Sequence, residues 1–273
     1  MKLRRHFPLW RRMLRAAGRR LFRLAENNGN PCLTQNGELW FLRQILTDYA
    51  ARKLARPFVA FDAGANAGDY TRLVLQAART VGCAVEVHAF EPSPRNLECL
   101  REAFAGEPAV HIVGAALAAH PGEACLYDGK SGSSLASLVP RDVHASGSGE
   151  EVKVPLLSLA DYVAAGKVAY IDLLKLDIEG SELAALRGLG DKLRPEFVDV
   201  IQFEYGGATL DAGATLKELH QLLTERNYVF AKLFPRAVEL RQYAGWMEHY
   251  SYANFVALSP QWVSPRAGAA PVE

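Results

Sequence analysis

The chain has 273 residues, of which 49% are hydrophobic, enough to bury a sizeable core in one large domain. It contains no run of about 18 apolar residues that would span a membrane, and its basic N-terminus lacks the apolar core of a secretory signal. The net charge is +1, but residues 1–25 carry nine Lys or Arg and no acid, so the remaining chain is acidic. We expect a cytoplasmic protein. Its four cysteines form no C-x-x-C pair and are predicted to be reduced structural thiols.

The basic arm has its apolar residues on one side of a predicted helix. They recur every three or four residues, at Trp10, Leu14, Ala17, Leu21 and Leu24. Such a helix can pack its apolar face on the main domain. Alternatively it can lie on an anionic membrane or dock on a partner, which would make the protein peripheral to the inner membrane surface. A break at residues 27–31 follows, and we assign residues 1–57 to a basic helical extension.

From residue 58 onward, predicted strands and helices alternate. Strands are predicted at 58–63, 85–90, 110–113, 124–128, 152–157, 170–176, 198–203, 228–234 and 252–258. Helices are predicted at 69–80, 95–104, 158–165, 182–189 and 216–226. Strands separated by helices imply a largely parallel sheet covered on both faces. We therefore predict a doubly wound α/β domain over residues 58–260 and a disordered tail at 261–273.

The sharpest local signal is a glycine-containing loop after the first strand, with the sequence DAGANAGD at 62–69. Glycines let the backbone turn tightly and let a ligand approach it, at the sheet edge where doubly wound folds bind ligands. A dinucleotide-binding loop has the pattern G-x-G-x-x-G. Here Asn66 replaces the middle glycine, Asp69 replaces the last, and Asp62 adds negative charge. These features disfavour a pyrophosphate and favour a ligand with a cationic amino group and a sulfonium.

A carboxylate, Glu91, ends the second strand, 29 residues after Asp62. It is placed to accept hydrogen bonds from both hydroxyls of a ribose, and charged hydrogen bonds of this kind contribute about 1.5–3 kcal/mol each. An acid here also disfavours a 2′-phosphate through repulsion. The glycine-containing loop and Glu91, in this order and at this spacing, predict a site for a nucleoside ligand.

Three further acids follow core strands and are candidate catalytic residues: Asp177, Glu179 and Glu204. A positioned base contributes about 10²–10⁴-fold to a rate. The three acids could instead hold a divalent metal, although we predict none, or one of them could bind the donor's amino group. For Glu179, stabilisation of the following helix N-terminus is the structural alternative. The residues alone do not decide between these roles.

Lys175 interrupts an otherwise apolar strand two residues before Asp177. In an extended chain the two side chains share one orientation, so Lys175 could pair with an acid at the strand end. We include it as a candidate substrate-binding residue. Asp172, three residues earlier, is expected at the opposite end of the strand.

These segments, in this order, resemble the FkbM family of methyltransferases. The matching sequences are FDAGANAG at 61–68, AFEP at 89–92, AAL at 115–117, SSL at 133–135, VKVP at 152–155, LKLDIEGSE at 174–182, IQFEYG at 201–206 and YANF at 252–255. The resemblance extends over residues 59–258 and covers neither the basic arm nor the tail. The combined pattern is specific, whereas any one piece is not.

The resemblance implies a Rossmann-like sheet of seven strands with the last antiparallel, the class I methyltransferase fold. It also implies S-adenosylmethionine as methyl donor and a hydroxyl of a sugar, glycan or secondary metabolite as acceptor. By position, the donor site would be lined by Asp62, Gly64, Asn66, Glu91 and Pro92, with Ala115 and Ala116 near the adenine. Ser133 and Ser134, in a loop rich in serine and glycine at 129–149, are candidate acceptor-binding residues of a lid. The implied reaction is a direct displacement in which an acid removes the acceptor's proton.

Two other functions are compatible with parts of this sequence. A protein with the same fold could bind the donor without transferring a methyl group, as a partner in a glycan or metabolite pathway. The basic arm could instead serve an RNA methyltransferase, but the acid-rich strand ends would repel phosphates and make a nucleic-acid partner unlikely. The motif N/D-P-P-Y, typical of amino-methylation, is also missing, and DIEG at 177–180 stands in its place.

Overall fold

A computed structural model of the chain describes residues 8–128, 136–140 and 150–263. Its helices are α1 (Leu9–Ala25), α2 (Glu38–Ala51), α3 (Asp69–Val81), α4 (Pro94–Ala103), α5 (Leu159–Ala165), α6 (Glu182–Arg187), α7 (Gly207–Asp211) and α8 (Leu216–Glu225). Its strands are β1 (Phe58–Ala63), β2 (Val85–Phe90), β3 (Val110–Val113), β4 (Ala116–Leu117), β5 (Gly122–Asp128), β6 (Glu150–Leu157), β7 (Ile171–Leu176), β8 (Val198–Tyr205), β9 (Val229–Phe234), β10 (Ala237–Leu240) and β11 (Ala253–Leu258). The fold is of the α/β class that the alternation predicts.

Eight strands form the main sheet, in the order β10-β9-β11-β8-β7-β1-β2-β3. The neighbours from β3 to β8 are parallel, whereas β11 is antiparallel to both β8 and β9. The seven strands expected from the resemblance, with the last one antiparallel, are therefore confirmed. The eighth, β10, was not predicted; it forms because the chain turns back directly after β9 and pairs with it along the open edge.

The centre of the sheet is covered on both faces, as expected for a parallel sheet. Every residue of β1 and of β7 is buried. One apolar core lies between the sheet and α5, α6 and α8, and a second lies between the sheet and α2 and α3. This packing fixes the carboxyl ends of β1, β2, β7 and β8 next to one another at one edge of the sheet.

The two strands predicted beside the serine- and glycine-rich loop do not join the main sheet. β5 and β6 pair with each other in an antiparallel manner, and β4 adds to β6, which gives a separate three-stranded sheet. Its small core consists of Ala116, Leu126 and Val154. Most of the loop itself lies outside the described residues, as do Ser133, Ser134 and residues 264–273 of the predicted tail.

The N-terminal segment divides into two unlike parts. Helix α2 packs in the second core through Phe41, Leu42 and Ile45, so it is part of the folded domain. Helix α1 has no buried side chain. The expectation that its apolar face packs on the main domain is therefore wrong. None of the described helices is both long enough and apolar enough to cross a bilayer.

Candidate active site

A cleft opens at the carboxyl edge of the sheet, where β1, β2 and β7 end. Its empty volume is about 1050 Å³, a figure that includes space open to solvent. Nine of the predicted site residues line this cleft: Gly64, Asn66, Glu91, Pro92, Ala115, Ala116, Lys175, Asp177 and Glu179. The strand ends therefore bring together most of the residues that the sequence singled out.

The loop after β1 needs glycine because it passes very close to the end of β7. A Cβ on Gly64 would lie 1.8 Å from the carbonyl oxygen of Asp177, and the φ of Gly64 is +82°. The next turn places Asn66 at φ +49°, with its backbone N–H donating to Glu91 Oε2 at 2.9 Å. The loop thereby connects the carboxyl ends of β1, β2 and β7 at one place.

Glu91 is held in a fixed orientation on the cleft wall. Besides Asn66, its carboxylate accepts from the backbone N–H of Ser93 at 2.9 Å and from Asn96 Nδ2 at 3.3 Å. The residue is only 5% exposed, and this burial raises the pKa of Glu91 although its hydrogen bonds oppose the shift. A carboxylate oxygen has more than one acceptor site, so Glu91 retains capacity for ligand hydroxyls.

The wall beyond Glu91 is apolar and built of small or branched side chains. Ala115 and Ala116 lie on it, and the remaining apolar lining includes Phe90, Leu117, Leu126, Ala136 and Leu138. Flat, apolar walls of this kind accommodate an aromatic base. Ala115 and Ala116 therefore line the cleft, and their position near an adenine stays a prediction.

On the opposite wall, Asp177 forms an ion pair with Lys175. The Lys175 Nζ lies 3.0 Å from Asp177 Oδ2 and 3.9 Å from Asp62 Oδ1. Burial alone lowers the pKa of Lys175, but the charges of Asp177, Asp62 and Glu38 outweigh it and raise that pKa well above its ordinary value. Lys175 is therefore a buried cation that neutralises the acids around it, and the predicted pairing with an acid at the strand end is confirmed.

Asp177 and Glu204 lie within hydrogen-bonding reach of each other, and their pKa values are shifted in opposite directions. Desolvation, together with the charge of Asp177, raises the pKa of Glu204 well above its usual range. Desolvation also acts on Asp177, but Lys175 and the hydrogen bond from Glu204 hold the pKa of Asp177 below its ordinary value. The arrangement therefore favours the negative charge on Asp177, which lines the cleft, and the proton on Glu204, which is not part of the cleft lining.

Glu179 lies at the cleft in a strained turn with φ +50°. Its backbone carbonyl accepts from Ser137 Oγ at 2.8 Å. Ser137 belongs to the described part of the serine-rich loop, of which Ala136 and Leu138 line the cleft. The lid residues Ser133 and Ser134 lie outside the described part, so their role stays a prediction.

Asp62 occupies a different place from the one predicted. It is completely buried, accepts from Thr71 Oγ1 at 2.7 Å, and is not part of the cleft lining. Its second oxygen, Oδ1, has no hydrogen-bond partner among the described residues, although the Lys175 ammonium lies nearby. Asp62 therefore lies behind the loop, where its negative charge helps to raise the pKa of Lys175.

One acid below the cleft was missed by the sequence analysis. Glu38, at the start of α2, is 1% exposed and accepts from Asn36 Nδ2 at 2.6 Å, Gln202 Nε2 at 2.6 Å and Asn254 Nδ2 at 3.1 Å. Burial raises the pKa of Glu38, while Lys175 lowers it. Asn254 belongs to the YANF segment quoted above, but nothing in the local sequence links that segment to Glu38, which is 216 residues away.

Comparison with known proteins agrees with this geometry. The family model described as the methyltransferase FkbM domain matches residues 62–230. The curated 31-O-demethyl-FK506 methyltransferase FkbM of Streptomyces tacrolimicus is 29% identical in an alignment of length 243 that covers 77% of this chain and 92% of that protein.

Solved structures also align with the chain. The methyltransferase FkbM from Methylobacillus flagellatus KT aligns with a TM-score of 0.44 and 15% identity over 80% of this chain. The chain spans only 57% of the length of that structure. TrmK of M. capricolum, solved with S-adenosylhomocysteine, aligns with a TM-score of 0.40 and 10% identity, covering 78% of this chain and 67% of that one.

Proposed function

The chain belongs to the FkbM family of methyltransferases, and on that premise we propose that it transfers a methyl group from S-adenosylmethionine to a hydroxyl oxygen. The acceptor class that we propose is a sugar, a glycan or a secondary metabolite. The curated relative supports oxygen as the target atom, since its name describes methylation of a 31-O-demethyl compound.

The charge and shape of the cleft carry the proposal for the donor. Four acids line it, Asp69, Glu91, Asp177 and Glu179, against one lysine that already has acidic partners. A cleft of this charge attracts a ligand with a cationic amino group and a sulfonium, and it repels a pyrophosphate. Glu91, fixed at the end of β2, would accept hydrogen bonds from the ribose hydroxyls. The wall at Ala115 and Ala116 would contact the base. The residues present therefore fit S-adenosylmethionine.

S-adenosylmethionine supplies an electrophilic methyl group, and the protein has to hold an acceptor hydroxyl beside it and remove a proton. Asp177 is the acid best suited to take that proton, because it lines the cleft and is ionised. The pKa of Glu204 is raised well above its usual range and the residue is not part of the cleft lining, so its proposed role is to hold Asp177 in place through their hydrogen bond. Alignment of two bound substrates contributes about 7–11 kcal/mol to such a reaction.

The same contacts argue against a metal at Asp177. Lys175 lies 3.0 Å from Asp177 and would repel a divalent cation placed there. The acidic wall likewise disfavours a nucleic-acid acceptor, which would bring phosphates close to Asp177 and Glu179. A binding protein without turnover would have the same donor site. Only an assay of methyl transfer distinguishes it from an enzyme.

The first experiment is calorimetry with S-adenosylhomocysteine on the wild type, on Glu91→Ala and on Glu98→Ala, an exposed acid of α4 that serves as control. We expect micromolar binding that Glu91→Ala weakens at least about tenfold and that Glu98→Ala leaves unchanged. Folded wild-type protein that does not bind would overturn the proposal.

A transfer assay with S-adenosylmethionine labelled in the methyl group, against a panel of methyl glycosides and hydroxylated metabolites, then tests the reaction. Label recovered in an ether-linked methyl group supports O-methylation. Donor binding with no transfer to any member of the panel supports the binding-protein alternative.

A further inference from the structure

Helix α1 exposes a broad apolar surface that nothing in the described structure covers. Its large apolar side chains are between 59% and 72% exposed: Leu9, Trp10, Met13, Leu14, Leu21 and Leu24. With 100° between successive residues, all six fall on one side of the helix. Monomeric soluble proteins rarely expose contiguous apolar patches of this kind without an interaction partner.

The other side of α1 is strongly basic. The helix contains six arginines and no acid, and five of the arginines lie on this side: Arg11, Arg12, Arg15, Arg19 and Arg23. The sixth, Arg20, falls within the apolar side. The rest of the chain is acidic, so the charge is concentrated on this one element. An apolar stripe flanked by arginines is complementary to an anionic lipid surface, where acyl chains take up the stripe and headgroups attract the cations.

The base of α1 is firmly joined to the domain. The ring of Phe22 lies edge-on to Trp246 at 6.2 Å and to His249 at 5.4 Å between centroids. Glu26 then pairs with Lys232 at 2.9 Å, and Gly29 donates to the Tyr252 carbonyl at 2.8 Å. Phe22 is on the arginine side of the helix, so the apolar side faces away from this attachment.

The attachment is at the same edge of the sheet as the cleft. Lys232 is near the carboxyl end of β9, and Tyr252 directly precedes β11, whose first residue pairs with Tyr205 at the end of β8. Leu33, a few residues after α1, lines the cleft itself. Binding of α1 to a surface would therefore bring the cleft close to that surface.

We propose that α1 binds the surface of a membrane containing anionic lipids and holds the cleft edge of the domain against it. The apolar side of the helix inserts between headgroups, and the arginines bind lipid phosphates. This inference does not depend on the identity of the methyl acceptor, because it rests on exposure, charge and the position of one helix.

The test is cosedimentation of the full chain with vesicles of phosphatidylcholine alone and with about 30 mol % phosphatidylglycerol. We expect at least about tenfold stronger partitioning onto the anionic vesicles, weakened by salt. Leu14→Glu/Leu21→Glu should abolish it, and since both side chains are exposed the variant should fold. Leu54→Glu, an exposed leucine in the loop before β1, is the matched control and should bind like the wild type.

Absence of binding to anionic vesicles, or equal binding by Leu14→Glu/Leu21→Glu, would overturn the proposal. Binding of an RNA oligonucleotide by a chain that does not bind vesicles would also overturn the proposal. It would indicate that the arginines of α1 bind nucleic acid.

A second, independent observation concerns the outer end of the main sheet. Glu86 and His88 lie two residues apart on β2, so they share one face, and His111 on the edge strand β3 is in register with His88. Glu86 Oε1 lies 3.1 Å from His88 Nε2 and 3.1 Å from His111 Nε2. All three ligand atoms are within 4.8 Å of one another. This cluster lies away from the cleft and has no part in the function proposed above.

The imidazole of His88 is arranged as in a metal ligand. Its Nδ1 is 2.7 Å from the hydroxyl of Tyr162, which fixes the ring. Its Nε2 is buried and has no hydrogen-bond partner among the described residues, since the approach to Glu86 is close but not aligned for a hydrogen bond. A second polar group on one ring nitrogen, with the other nitrogen free to ligate, is the usual arrangement around zinc.

We infer that Glu86, His88 and His111 form a site for a divalent transition-metal ion of the zinc type. Zn–N and Zn–O bonds of about 2.0–2.2 Å place neighbouring tetrahedral ligands about 3.3 Å apart, close to the two distances observed. His111 is half exposed, so its ring can turn to complete the set. The fourth position would be open to water at the sheet edge.

The test uses untagged protein treated with a chelator and titrated with Co²⁺, followed by visible absorption. We expect one ion per chain, with an affinity that His111→Ala lowers at least about tenfold. His120→Ala, which removes an exposed histidine elsewhere, is the control, and unchanged binding of S-adenosylhomocysteine shows that each variant is folded. A chain without a saturable Co²⁺ spectrum, or a His111→Ala variant with wild-type affinity, would overturn the assignment.

Discussion

The most consequential single residues are two interacting acids, Asp177 and Glu204, whose pKa values are shifted in opposite directions. Desolvation acts on both, but Lys175 holds the pKa of Asp177 below its ordinary value, whereas burial and the charge of Asp177 raise the pKa of Glu204 well above its ordinary value. Their similarity in sequence, each at the end of a core strand, gives no hint of this difference. The three-dimensional arrangement therefore supports the roles proposed for the two acids, Asp177 as proton acceptor and Glu204 as the residue that holds it in place.

Substitution by amides tests this division of roles. With the best acceptor from the glycoside panel, Asp177→Asn should lower kcat by about 10²–10⁴-fold while leaving the Kd of S-adenosylhomocysteine within about threefold. Glu204→Gln should lower kcat by less than about tenfold, because the amide can still donate to Asp177. A large loss in Glu179→Gln, with Asp177→Asn unaffected, would transfer the role of base to Glu179.

Glu182 shows how one residue can couple the site to pH. It is 2% exposed, and Oε1 accepts from the backbone N–H groups of Ile178 and Gly180, in the turn that carries Glu179. Burial raises the pKa of Glu182 to about 7, although these hydrogen bonds oppose the shift. The residue therefore stabilises the turn that carries Glu179.

The raised pKa predicts a pH dependence of stability. The unfolded chain loses the Glu182 proton near pH 4.5 and the folded chain near pH 7, so the folded state binds more protons in between. The contribution of Glu182 is thus complete below pH 4.5 and is lost as pH rises through 7, by an amount on the order of 3 kcal/mol. Thermal unfolding of wild type and Glu182→Gln between pH 5 and pH 8 measures it. The wild type should lose stability relative to the variant, and parallel curves would contradict the assignment.

At the scale of elements, the crossing of the β1 loop over the end of β7 decides the geometry of the cleft. This crossing requires glycine at position 64 for two reasons, its positive φ and its contact with the Asp177 carbonyl. Gly82, which ends α3, also has a positive φ, +69°, but nothing lies within 4 Å of the position of its Cβ. A side chain at position 82 would therefore meet only the strain of a positive φ, whereas one at position 64 would meet that strain and a steric clash as well.

Alanine substitution at both glycines tests this distinction by urea unfolding. Gly82→Ala should cost about 1–2 kcal/mol, the penalty for an alanine in the left-handed region. Gly64→Ala should cost about 1–3 kcal/mol more, since the backbone of Asp177 has to move. Donor binding should weaken only in Gly64→Ala. Equal costs for the two variants would show that the crossing tolerates a methyl group.

At the scale of the whole molecule, the two N-terminal helices contribute very differently to stability. α1 has no buried side chain, whereas α2 supplies apolar residues to a core and brings Glu38 to Gln202 and Asn254. Deletion of residues 1–20 should therefore change Tm by no more than about 2 °C. Phe41→Ala, at a 4% exposed position of α2, should cost about 3–5 kcal/mol. A large loss of stability in the deletion would show that α1 packs on the domain after all.

The sequence by itself determined the parts of this protein that depend on local pattern. The alternation of apolar strands and helices, the glycine-containing loop at 62–69, and the acids at the ends of β2, β7 and β8 are all visible within a few residues. They predict the parallel sheet and most of the cleft, because parallel strands place their carboxyl ends at one edge.

Only the tertiary structure decided the features that depend on distant parts of the chain or on removal from water. It placed Asp62 behind the cleft instead of on its wall and brought Glu38 of α2 into the charge network of Lys175. It added β10 to the sheet and left the apolar side of α1 exposed. These outcomes follow from contacts between residues far apart in sequence, and from desolvation, which is a property of the folded surroundings and not of a residue's neighbours along the chain.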